Sequence, residues 1–165
     1  MNLRRLLRHL LTPQWWVLRA FNRETLDAVE HAVSRAEQGH RGELRFVVEG
    51  LLPLGDLLRD VTARQRAVQL FSDLRVWDTE QNSGILIYVQ MADRRVEVLA
   101  DRGIAKQVQQ SAWDEICRTL EHAFAAGHYR QGAVAAVEQA GALLSGHSGP
   151  FAENPDEISD RPLVV

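Results

Sequence analysis

The chain has 165 residues, 45% of them hydrophobic, and a formal net charge of -3, which suits one domain able to bury a core unaided by metals or disulfides. The mildly acidic balance excludes a general nucleic-acid binder, which would carry a basic stripe, and no apolar run is long enough for a transmembrane helix. Cys117 is the single cysteine, so an intrachain disulfide and a thiolate metal cluster are both ruled out.

Residues 1–20 read as a basic amphipathic segment. Leu3, Leu6, Leu7, Leu10 and Leu11 recur at helical spacing, Arg4, Arg5 and Arg8 lie opposite them, and no acidic residue precedes Glu24. The segment lacks the unbroken apolar stretch and cleavage site of a signal peptide, so the chain reads as cytoplasmic. Such a helix either rests residues 1–12 on an anionic membrane or a partner, or docks on its own domain with the arginines solvated. Docking is the preferred reading, because two turns of helix hold lipid only weakly. Trp15 and Trp16, after Pro13, would anchor the segment to the body or to an interface.

Residues 21–146 carry the periodic elements. Asn22 is an N-cap for a helix whose stripe is Leu26, Val29, Val33 and Ala36, and Gly39 is its expected end. Residues 44–48 read as a first strand. Pro53 and Gly55 mark a loop, and Thr62 with Gln65 is a capping box opening a helix with Ala67, Leu70, Phe71 and Leu74 on one face. Residues 85–89 are a short β-rich apolar run, Ala92-Asp93-Arg94 a turn, and 95–100 a strand of period two. So short a connection makes 85–89 and 95–100 an antiparallel hairpin, whereas strand–helix–strand makes 44–48 and 85–89 parallel. After Gly103, Ser111 with Asp114 is a second capping box, Gly127 ends that helix, and Val134, Val137, Gly141 and Leu144 line a last one reaching about Ser145. Residues 147–165 are a polar tail without periodicity.

This topology gathers Glu43, Asp78, Glu80, Asn82, Asp101 and Arg102 on one edge of the sheet and leaves Asp93, Arg94 and Arg95 as a solvated turn on the other. Converging oxygen ligands suit a hard cation such as Ca²⁺ or Mg²⁺, and the same carboxylates suit hydrolysis of a phosphate ester. Acidic residues are also ordinary turn and capping residues, and the spacing matches no defined ion-binding motif. The six histidines form no i, i+4 pair, and Walker A, G-x-G-x-x-G and G-x-S-x-G motifs are all missing. Cys117 sits among apolar neighbours as a packing residue, and Trp77 and Trp113 read as core.

At Trp77-Asp78-Thr79-Glu80, Asn82-Ser83-Gly84-Ile85-Leu86-Ile87-Tyr88, Ala92-Asp93-Arg94 and Ala100-Asp101-Arg102-Gly103-Ile104 the chain resembles the TPM-domain family, which includes thylakoid-lumen phosphatase-like proteins. The likeness extends through Gly42-Glu43, Trp113, Phe124, Gly127 and Gly132 to Asn154-Pro155 and Asp160-Arg161-Pro162, as in short stand-alone bacterial members. The resemblance implies a three-layer α/β/α sandwich with a small mixed sheet, combining a parallel crossover and an antiparallel hairpin. It also implies divalent-cation binding, acid phosphatase activity or neither, since family members have been described in all three ways. Where secreted relatives carry a Gly-rich acidic turn, this chain has Arg102, which would partly neutralise an ion site.

Together these readings favour a non-catalytic binding or adaptor domain near the membrane, cytoplasmic or peripheral, with an unidentified protein partner. In this view Asp78, Glu80, Asp101 and Glu43 hold a Ca²⁺ or Mg²⁺ ion. A metal-assisted acid phosphatase using Asp78, Asp101 and Arg102, and a purely structural interaction domain, are the alternatives.

Overall fold

The strands expected around 44–48, 85–89 and 95–100 are present in the computed structural model as β1 (Glu43–Glu49), β2 (Gly84–Gln90) and β3 (Arg95–Ala100). The structure describes residues 3–38, 42–147 and 158–165. β1 and β2 pair in parallel from Glu43 with Gly84 to Glu49 with Gln90, and β2 and β3 form the antiparallel hairpin, Ile85 opposite Ala100. A further strand, β4 (Leu163–Val164), lies parallel to β1, giving the order β3-β2-β1-β4. It arises within the stretch read as a tail outside the domain. Two residues are too few for a periodic signal, and β4 exists only because the open edge of β1 receives it: Val165 N–H donates to the Val48 carbonyl and Gly50 N–H to that of Val165.

The helices are α1 (Leu3–Leu11), α2 (Gln14–Ala20), α3 (Arg23–Glu37), α4 (Leu54–Leu58), α5 (Ala63–Asp73), α6 (Arg102–Ala105), α7 (Gln110–Ala125) and α8 (Tyr129–His147). Asn22 caps α3 by accepting from Thr25 N–H at 2.9 Å, and Thr62 with Gln65 closes the reciprocal capping box of α5. Gly127, at φ +79°, follows the end of α7 in the left-handed region. Gly39, the expected end of α3, lies outside the described residues. The Ser111–Asp114 capping box does not form. α7 begins at Gln110, behind Gln109, and the Gln110 side-chain amide donates to the Asp114 carboxylate at 2.9 Å.

Alternate strand residues face opposite layers. Leu44, Phe46, Val48, Ile85, Ile87, Val89, Val96 and Val98 join the core shared with α3, α7 and α8. Val47, Leu86, Tyr88 and Leu99 meet Ala63, Ala67 and Leu70 of α5 on the other face. Every residue of β2 is buried, as expected for a strand covered on both faces. The result is helices, a four-stranded mixed sheet, and helices. No helix among the described residues is long and apolar enough to cross a membrane.

Candidate functional site

The expected edge forms, but its residues do different jobs. Glu43 is fully buried at the start of β1, and its Oε2 accepts from Ile158 N–H at 3.1 Å. Asp101 follows β3 and is the N-cap of α6: one carboxylate oxygen accepts from Arg102 N–H at 2.6 Å, while Oδ2 is buried without a partner. Asp78 and Glu80 stand exposed in the turn between α5 and β2, and Arg102 is exposed beyond the cap. That turn is held by tight backbone contacts. A Cβ on Gly84 would lie 1.8 Å from the Val76 carbonyl oxygen, and one on Gly103 would lie 2.5 Å from those of Gln81 and Asn82. Gly103 N–H donates to the Asn82 carbonyl, with Asn82 itself at φ 53°. The glycines of this signature therefore lock loop to strand. Among the described residues, no three His, Cys, Asp or Glu side chains are placed to hold a metal ion.

Beside this edge lies a carboxyl group that periodicity does not single out. Glu37, buried at the end of α3, accepts from Leu44 N–H at 2.7 Å. Burial pushes its carboxyl up to about 10, against the pull of the Leu44 N–H, with the nearby Glu43 charge and Asp160 adding to the rise. Glu37 is therefore a neutral acid at neutral pH. The segment carrying Asp160 is tied down further by Arg45, whose Nη1 donates to the carbonyls of Ser159 and Arg161.

The opposite edge corrects the reading of Asp93 as part of a solvated turn. Its Oδ2 accepts from Arg5 Nε at 2.8 Å and from Arg5 Nη2 at 2.6 Å, and its Oδ1 lies 3.2 Å from His9 Nε2. His9 is 3% exposed, and its Nδ1 accepts from Leu52 N–H at 3.3 Å, so Nε2 carries the proton facing Asp93. Burial raises the Asp93 carboxyl, but the Arg5 hydrogen bond and charge, then His9, outweigh it and hold it below the usual range. A second group adjoins on the α5 side of the sheet. Glu49 accepts from Arg66 Nη2 at 2.7 Å and from the Tyr88 hydroxyl at 2.6 Å. Burial, then Glu49, drives the Tyr88 phenol far above its ordinary range, and hydrogen bonding to Glu49 raises the Arg66 guanidinium.

These contacts fix the N-terminal segment. α1 docks on its own domain, as preferred above, but by its polar side: Arg5 is largely buried rather than solvated. Leu3, Leu7, Leu10 and Leu11, with Trp15 and Leu18 of α2, are left facing out at 49–78% exposure. Of the other candidates, Trp113 is core at 4% exposure but Trp77 is 48% exposed, so its reading as core does not hold. Cys117 is half-buried, and burial pushes its thiol up to about 11, an unreactive state at neutral pH.

The TPM domain family matches this chain over residues 18–143, which includes every strand of the central hairpin and crossover. The chain belongs to the TPM-domain family. The solved BA42 protein from the psychrophilic bacterium Bizionia argentinensis is similar at 26% identity, with a TM-score of 0.75 over 86% of this chain and 93% of that one. The N-terminal domain of cg2496 from Corynebacterium glutamicum shares the fold at 12% identity and a TM-score of 0.55, covering 82% of this chain and 80% of that one. Among curated proteins, none matches the chain. In this TPM domain the family's matched region starts at Leu18, so α1 and the tryptophan pair precede it.

Proposed function

We propose that this TPM domain is a non-catalytic docking module that rests on an anionic membrane surface through α1 and α2. The observation carrying the reading is the outward leucine face of α1, continued by Trp15 and Leu18, above a polar side held by Asp93. A nine-residue helix is below the length of about 12–15 residues at which isolated helices become even marginal in water. The Arg5–Asp93 clamp offsets that cost in advance, so the surface meets lipid already folded. Leu51, Leu54 and Leu58, beside the backbone that His9 contacts, extend the apolar area. Exposed Arg4, Arg8 and Arg19 supply the charge that anionic headgroups attract, each worth about 1 kcal/mol near such a surface. Burying a leucine completely is worth about 1.5–3 kcal/mol, so several together yield reversible binding.

Co-sedimentation with phosphatidylglycerol vesicles tests this. The protein should pellet with them and not with phosphatidylcholine, and Leu7→Ser with Leu11→Ser should release it. Binding that survives that pair, or removal of residues 1–12, would refute the proposal.

A second reading is that Ca²⁺ or Mg²⁺ binds at the buried Oδ2 of Asp101 and draws in Asp78 and Glu80, which are not gathered around it in this structure. Glu43 fits this set poorly, because it is sealed in and turned to Ile158. Calorimetric titration that yields no heat at millimolar ion would end this reading, and with it a metal-assisted phosphatase using Asp78, Asp101 and Arg102.

A further inference from the structure

Where α2 crosses the β2–β3 hairpin and the end of α7, the structure holds a cavity of about 150 Å³. It opens on the side of the sheet away from the Glu49 group. Trp16, Met91, Phe124 and Tyr129 line its apolar part, and Arg94, Arg95 and Glu121 line its polar part. The aromatic walls are mutually braced: Phe124 and Tyr129 lie 5.1 Å apart between centroids, and Trp16 meets Tyr129 edge-on at 6.3 Å. Braced rings keep a preformed space open instead of collapsing into it. The volume matches that of about 150 Å³ at which an apolar cavity accepts a benzene ring.

The charge balance at the rim decides what else the ligand carries. Among the described residues no ion pair joins Arg94 or Arg95 to a carboxylate, although Glu97, outside the cavity lining, feels the Arg95 charge. Against these two guanidinium groups the lining holds one carboxylate, Glu121, with an oxygen engaged by Val96 N–H at 3.2 Å, so the rim is net positive. Arg94 also sits at φ 54°, where glycine or asparagine would be easier, and a long cationic side chain at such a position suggests that its charge is used. We propose that this cavity binds a small aromatic carboxylate, its ring between Trp16, Met91, Phe124 and Tyr129 and its carboxylate on Arg94 and Arg95. The site is independent of the leucine face and of the acidic edge.

The test is titration of the full chain with phenylacetate, followed by amide chemical shifts and calorimetry, with neutral phenylacetamide as the control. Shifts should concentrate at Met91, Val96, Phe124 and Tyr129. Phenylacetamide should bind roughly tenfold more weakly or worse, since a charge-assisted bond is lost. Arg94→Asn with Arg95→Gln should produce a similar loss, asparagine being tolerated at the left-handed position. Ala125→Trp, placed on an exposed lining residue, should block entry and abolish the shifts. Equal affinity for the amide, unchanged affinity in the arginine pair, or no shifts at about 10 mM ligand would overturn the proposal. If Ala125→Trp fails to fold, which its amide spectrum reports, the exposed arginine pair still decides.

Discussion

The two ends of the sheet carry similar numbers of charged residues and use them in opposite ways. At the edge of Glu43 and Asp101, the two turn acids, Asp78 and Glu80, face water, while the buried acids meet backbone N–H groups or stay neutral, as Glu37 does. At the far edge Asp93 and Glu49 meet the guanidinium groups of Arg5 and Arg66 within 2.6–2.7 Å and are shielded from water. Charge alone therefore does not mark a working residue. Burial and the identity of the partner separate a cap from a clamp.

Breaking the far edge should have the largest effect. Glu49→Ala removes the short hydrogen bonds of the Arg66 guanidinium and the Tyr88 hydroxyl, leaving Arg66 with Asp56 at 3.8 Å, a loss of about 3–5 kcal/mol readable by urea denaturation. Asp93→Ala should cost about 2–3 kcal/mol by removing two charge-assisted hydrogen bonds from partly buried Arg5, which keeps the Val61 carbonyl and Asp60. It should also free α1, so limited proteolysis would cut within residues 3–12 and vesicle binding would weaken. If α1 stays protected, the clamp is not what holds it.

The acid–base response should distinguish the ends by sign. Glu37 is raised from 4.5 to about 10, so the folded state keeps a proton that the unfolded chain releases. Its contribution is fully present below pH 4.5 and is lost as pH rises toward 10. Asp93 is lowered from 3.8, so its contribution is present above that value and is lost as pH falls through the depressed range. Glu37→Gln, which retains an acceptor for Leu44 N–H, should flatten the alkaline decline and leave the acid limb unchanged. A decline as steep as in the parent chain would mean that Glu37 is already ionised. Smaller still, Asp101→Ala should cost about 0.5–2 kcal/mol as a lost cap. Asp78→Asn should stay within about 0.5 kcal/mol, as an exposed change does. A larger change at Asp78 would argue that the turn carboxylate has a bound partner.

Much of the fold was legible because it rests on local periodicity. The hairpin over 85–100, the parallel crossover from 44–48, and the caps at Asn22 and Thr62 each follow from spacing within a few residues. The placement of Glu43 and Asp101 at one edge followed from topology. Their state did not, because whether an acid is exposed, a cap or neutral depends on what covers it. The Glu37 group joins α3, β1 and a C-terminal residue 123 positions further on, so no window of sequence contains it. Arg5 and Asp93, separated by 88 positions, are equally invisible.

The α/β/α class, the mixed sheet, the order of its central strands and the family are readable from the residues alone, because alternation and turn chemistry act between near neighbours. Which side of α1 faces the body depends instead on contacts made far along the chain. The leucines define an amphipathic helix whichever way it turns, and the half-buried carboxylate of Asp93, with Asp60, draws Arg5 and His9 inward and leaves Leu3, Leu7, Leu10 and Leu11 to water.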